Sequence, residues 1–231
     1  MRRHLGGSDL GIEKTAGAAD AGAECSRRMS ELSFSDSSAG VPDFVDGDAL
    51  LLVDPQNDFC LGGSLPVAEG HRVMSVLSAW AEAADVAGVP IFVTRDWHPP
   101  RTTHFKDFGG VWPPHCVQGT RGAEFHPDLR LPSSVRIVSK GMGETEDAYS
   151  AFHARDESER PLATLLREAR VEHLYVMGLA TDYCVKESAL GGLENGFRVT
   201  VVARGMRAVN LQPSDGDAAV EAMRSAGARV L

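Results

Sequence analysis

A chain of 231 residues, 43% hydrophobic and 24% charged, is long enough for one domain with a sizeable core. No stretch approaches the ~18 continuous apolar residues of a membrane-spanning helix, so no membrane partner is expected. The formal charge of −9 argues against a nucleic-acid partner, because a phosphate backbone is bound mainly through Lys and Arg.

Met1-Arg2-Arg3 opens in the manner of a twin-arginine export signal, but residues 4–20 hold no apolar stretch. No signal peptide is therefore expected, and the expected location is cytoplasmic. Residues 1–46 are rich in Gly, Ala, Ser and Asp and lack helical or strand periodicity. Such a segment buries too little apolar surface to offset its ordering entropy, which predicts a disordered tail over 1–46 and a domain over 47–231. The four cysteines, Cys25, Cys60, Cys116 and Cys184, form no CxxC pair, so neither a disulfide scaffold nor a Cys-rich zinc site is expected.

From residue 48 the pattern changes. Ala49 to Val53 is a short apolar run ending in Asp54-Pro55, the signature of a strand buried on both faces. Val73, Val76, Leu77, Trp80 and Ala84 predict a helix over 70–87, closed by Gly88. Residues 90–94 read as a second strand, and the Pro-, His- and Gly-rich stretch 95–131 as a long functional loop. A third strand is expected over 135–138, a helix over 159–169, a fourth strand over 174–177 and a helix over 182–194. A fifth strand over 197–202, a helix over 213–225 and a last short strand over 228–231 follow. Strands alternating with helices predict an α/β sandwich on a parallel sheet, with ligands beyond the carboxyl ends of the strands. Asp54, Arg95-Asp96, Lys140 and the segment Gly178 to Cys184 all fall at those ends.

Three constellations carry chemistry. Asp54, just past the first strand, suits a general base, although Asp and Asn in Asp54-Pro55-Gln56-Asn57-Asp58 would equally cap a turn. Asp58 fits a role in orienting the loop. Asp96, His98 and His104, with His115 further on, offer one carboxylate and imidazoles to a divalent ion such as zinc, iron or manganese. Solvated loop histidines are the plain alternative. In Gly178-Leu179-Ala180-Thr181-Asp182-Tyr183-Cys184 a strand gives way to a helix with Cys184 in its first turn. That position lowers a thiol pKa and supplies free N–H groups for an oxyanion; a buried structural cysteine is the alternative. Lys140 at a strand end is a weak signal taken alone.

Together these residues resemble the isochorismatase-like cysteine hydrolases, and within them the nicotinamidase/pyrazinamidase branch, over roughly residues 48–231. The matching motifs are Asp54-x-Gln56-x-Asp58-Phe59, Lys140-Gly141 and Ala180-Thr181-Asp182-Tyr183-Cys184-Val185, with Asp96, His98, His104 and His115 matching the branch's metal set. The resemblance implies a three-layer, Rossmann-like sandwich on a mostly parallel six-stranded sheet. It implies Asp54, Lys140 and Cys184 as catalytic residues and an oxyanion hole from the Ala180 and Cys184 N–H groups, past a cis Leu179–Ala180 peptide. Phe59, Trp112 and Tyr183 would wall a pyridine ring, with Tyr149 and Leu179 completing the substrate contacts. The implied activity is hydrolysis of nicotinamide, and of pyrazinamide, through a cysteine thioester. Another small amide as substrate, a metal-hydroxide nucleophile that spares Cys184, and a catalytically dead binding protein are the rival readings. Whether copies of the chain form a homo-oligomer is left open.

Overall fold

The computed structural model describes residues 40–146 and 149–231; the tail expectation for residues 1–39, with Cys25, lies outside them. Residues 40–46 correct that expectation, for they lie on the domain. The Phe44 ring meets Tyr175 edge-on at 5.3 Å and Trp80 at 6.0 Å between centroids. One aromatic in a polar stretch supplies an apolar anchor that composition averages away.

Six strands form one sheet: β1 (Asp48–Val53), β2 (Ile91–Asp96), β3 (Arg136–Lys140), β4 (His173–Leu179), β5 (Arg198–Arg207) and β6 (Arg229–Val230). Their order is β3-β2-β1-β4-β5-β6, and every pairing is parallel. Four helices, α1 (Val73–Ala87), α2 (Leu162–Glu168), α3 (Lys186–Glu194) and α4 (Asp215–Ser225), fill the connections. The chain reverses direction across the sheet between β3 and β4. With right-handed crossovers, α1 therefore covers one face and α2, α3 and α4 the other. This is the α/β sandwich expected. β1 is buried along its whole length, and each of Leu50, Leu51 and Leu52 stabilises the fold by about 1.5–3 kcal/mol through burial. α1 ends where Gly88 takes φ 72° and its N–H returns to the Ala84 and Asp85 carbonyls.

Boundaries shift for physical reasons. α2 begins at Leu162 instead of 159, because Asp156 accepts the Ser158 and Arg160 N–H groups and holds a turn ahead of Pro161. β5 runs past 202 to Arg207, because its pairing with β4 changes register between Val176 and Gly178 and resumes at Gly178↔Met206. Gly178, at φ 132°, has no room for a side chain: a Cβ there would collide with the Val53 carbonyl of β1. The 95–131 loop has short 3-10 turns at Lys106–Phe108 and Arg121–Ala123, and isolated bridges His98↔Val117 and Phe105↔Trp112 stitch it together. Among the described residues no helix is long and apolar enough to cross a membrane, and Cys60, Cys116 and Cys184 are free.

Candidate active site

Strand register builds the centre. Asp96 and Lys140 are the last residues of β2 and β3 and stand opposite each other in the ladder. Lys140 is fully buried; its Nζ pairs with Asp96 Oδ1, lies 2.8 Å from Asp54 Oδ2, and donates to Cys184 Sγ at 3.6 Å. Asp54, just past β1, takes φ 46°, a left-handed conformation that Asp tolerates better than most residues. Thr94, buried on β2, fixes it twice, accepting the Asp54 N–H at 3.1 Å and donating to Asp54 Oδ1 at 2.5 Å. Oxygens of Asp54 and Asp96 and the Cys184 sulfur lie within 4.8 Å of one another. That trio has the composition of a metal site, but the Lys140 ammonium among the three already supplies the counter-charge.

Burial sets the electrostatics. Desolvation raises the Asp54 pKa from 3.8 to about 6, against the lowering effect of Lys140 and with a further push from Asp96. Burial also works against ionisation of Asp96, yet Lys140 and then His98 hold its carboxyl well below the ordinary range. Burial disfavours the Lys140 ammonium, but Asp54 and Asp96 outweigh it and hold the amine protonated. Cys184 corrects the sequence expectation of a lowered pKa. Desolvation pushes the thiol well above its usual value despite Lys140, and Asp54 and Asp96 push the same way. Burial thus favours the protonated sulfur, and attack calls for a base to take its proton. Its local structure also differs: Thr181–Val185 form a π turn ahead of α3, so Cys184 is not in the first α turn. The Leu179–Ala180 peptide is cis.

Beside this centre the 95–131 loop brings three histidines together, with one nitrogen from each of His98, His104 and His115 within 4.8 Å of the others. Asp96 Oδ2 is 3.8 Å from His98 Nε2 and 3.9 Å from His115 Nε2. Asp96 thus turns one oxygen to Lys140 and the other to the histidines. His98 Nδ1 lies 3.1 Å from the Gly141 carbonyl, and His115 Nδ1 lies 2.8 Å from that of Pro113. Carbonyls only accept, so both Nδ1 atoms carry a proton, which leaves the two Nε2 atoms as the nitrogens turned toward Asp96. His98 Nε2 is buried without a hydrogen-bond partner. Burial lowers the His104 pKa from 6.5 to about 4, helped by His98 and His115, and burial likewise lowers that of His115. Three imidazole nitrogens that converge beside one carboxylate fit a divalent metal ion.

Residues with no chemistry of their own hold this arrangement. Gln56, fully buried, donates to the Asp96 carbonyl (2.8 Å) and accepts the Asp96 N–H (2.8 Å). Asp58 accepts the Ser64 N–H (3.0 Å) and the Cys116 N–H (2.7 Å), the loop-orienting part that its place in the motif suggests. Gly122 packs against that carboxylate where any Cβ would collide.

A pocket with about 390 Å³ of space, counting its mouth open to solvent, faces Cys184, Asp96, His104 and His115. Phe59, Trp112, Tyr149 and Tyr183 wall it, and Ala180 reaches it too. Trp112 Nε1 donates to the Tyr149 hydroxyl at 2.8 Å, and the Trp112 and Tyr183 rings meet edge-on at 5.0 Å. Leu179 is the exception. It is fully buried beside Gly70 and is not part of the pocket lining. Leu65, Val67 and Val209 line the pocket without having been anticipated.

The model of the isochorismatase domain matches residues 48–231. The chain belongs to the isochorismatase family. Within this family, it is 39% identical over 198 residues to the nicotinamidase of Escherichia coli, spanning 78% of this chain and 92% of that protein. It is also 39% identical over 187 residues to the nicotinamidase/pyrazinamidase of Mycobacterium tuberculosis, spanning 79% and 97%. A crystal structure of the pyrazinamidase of Pyrococcus horikoshii in complex with zinc superposes with a TM-score of 0.74 at 38% identity, over 80% of this chain and 98% of that one.

Proposed function

We propose that this isochorismatase-family chain is a nicotinamidase, an amidohydrolase converting nicotinamide to nicotinic acid and ammonia and accepting pyrazinamide as well. One observation carries the reading: the Cys184 thiol, backed by Asp54 and Lys140, faces the same aromatic-walled pocket as His104 and His115, two of three converging histidines. Relatives at 38–39% identity whose own activities are nicotinamidase and pyrazinamidase support it.

Asp54 takes the Cys184 proton while Lys140 steadies the charge passing between them. The thiolate attacks the carboxamide carbon, and the Ala180 and Cys184 N–H groups receive the oxyanion. Asp54 returns the proton to departing ammonia, and water, with Asp54 again as base, cleaves the thioester to nicotinic acid. Asp96, His98, His104 and His115 would hold the divalent ion, read as zinc from the zinc-bound pyrazinamidase relative, with iron and manganese as the alternatives the donor set also suits. When bound, such an ion supplies a Lewis-acidic site that orients the ring through its nitrogen. Phe59, Trp112, Tyr149 and Tyr183 bury the ring faces and exclude water. The product acid and ammonia place the reaction in NAD recycling. An ammonia-release assay with nicotinamide, pyrazinamide and aliphatic amides, with zinc added, tests the reading. Turnover of the two heteroaromatic amides is expected; turnover confined to aliphatic amides would overturn it.

A further inference from the structure

Past β5 the chain crosses to the pocket, where Val209 shares the lining with Tyr183 and Cys184. The strand ladder ends at Arg207, so the N–H groups beyond it need other partners. Two of them share one carboxylate: Val209 N–H donates to Asp182 Oδ1 at 2.9 Å and Asn210 N–H to Asp182 Oδ2 at 2.8 Å. Asp182 is buried and belongs to the π turn that carries Cys184. Asn210, at φ 53°, accepts the Gly216 N–H at 2.8 Å in the first turn of α4. A Cβ on Gly216 would come within 2.7 Å of the Ala208 Cβ, so helix and segment are in close contact. The Val209 wall is thus gripped by α4 on one side and by the nucleophile's own turn on the other.

We propose that Asp182 is a positioning residue that ties the Cys184 turn to the Val209 wall and thereby sets which amide rings the pocket accepts. A carboxylate receiving two main-chain N–H groups makes charge-assisted bonds, stronger than neutral ones, so the tie resists displacement. An apolar wall selects by fit alone, and a change of methyl size there alters discrimination by about tenfold. Asp182 has no part in the proton transfers at Cys184; its effect reaches the substrate through Val209.

The choice of substrates rests on the nicotinamidase reading, while the tie itself does not. The full-length, zinc-loaded protein and its D182N, V209A and D182N/V209A variants are assayed on nicotinamide and on the bicyclic quinoline-3-carboxamide. Asn at 182 keeps the shape but offers one acceptor oxygen in place of two. In each single variant the kcat/KM ratio of bicyclic to monocyclic amide is expected to rise about tenfold, mainly through KM. The double variant is expected to show no further rise. An unchanged ratio with a lowered melting temperature, or effects that multiply in the double variant, overturns the proposal. A wild-type protein that releases no ammonia from nicotinamide sinks the nicotinamidase reading separately. The tie is then judged by alkylation of Cys184, followed by peptide mass. The rate with N-phenylmaleimide relative to iodoacetamide rises in D182N and V209A if the tie holds, and stays at the wild-type value if it does not.

Discussion

The sheet carries a buried polar cluster at each end, on β1, β4 and β5 at the amino end and around the ends of β1, β2 and β3 at the other, and the two are built differently. At the amino end Asp48 pairs with His173 (2.9 Å), His173 reaches the Thr200 hydroxyl (2.8 Å), and the second Asp48 oxygen accepts the Val45 N–H (3.0 Å). Every group there has its partner, and the result is a clasp across β1, β4 and β5. At the carboxyl end, two carboxylates, one ammonium and a thiol crowd together, and His98 Nε2 lacks a hydrogen-bond partner. Similar residue types give a structural pin where the hydrogen bonding is complete, and a reactive centre where it is not.

Substitutions test that division. Cys184→Ala is expected to remove amide hydrolysis by on the order of 10⁴-fold or more in an ammonia-release assay, with zinc content unchanged. Retained turnover would show that the metal set acts without the thiol. His98→Ala is expected to lower bound zinc on elemental analysis and raise the nicotinamide KM; full metal content would remove His98 from the ligand set. Because Asp54 must be ionised to take the Cys184 proton, kcat/KM should fall as pH drops through about 6, the pKa that burial gives it. A limb near 4 would mean that Asp54 is not the base. The same shift bears on stability in the opposite sense. A folded pKa of about 6 against 3.8 favours the fold at low pH, and that contribution is lost as pH rises through 6. Asp48→Ala is the smallest case. It should cost about 1–3 kcal/mol in urea unfolding and leave kcat unaltered, since it strands His173 and the Val45 N–H far from the chemistry. A fall in kcat there would break the comparison.

The reactive end was the more legible of the two in the sequence. Asp54, Asp96 and Lys140 stand at the ends of short apolar runs, and strand ends are where such sheets keep their ligands. The histidines declared themselves by spacing. What stayed hidden depends on tertiary contact. Thr94 reads as one more β-branched residue of β2, and its grip on Asp54 appears only when β1 and β2 are paired. Val209, Leu65 and Val67 reach the pocket from segments without a motif. The Cys184 environment misled, because a helix start lowers a thiol pKa only while the sulfur stays partly hydrated, and here burial dominates. Leu179 misled too, since adjacency to Ala180 in the chain did not translate into a shared face.

Gly178 has a consequence for how this centre could ever change. Its bare backbone lets β4 close onto the Val53 carbonyl, and Asp54 directly follows Val53 past β1 while Cys184 lies in the π turn that follows β4. Any side chain at 178 would act as a spacer between acid and nucleophile, lengthening the proton's path before touching either group. The reach of the reaction is therefore set by an atom the chain leaves out, at a position that takes no part in the chemistry.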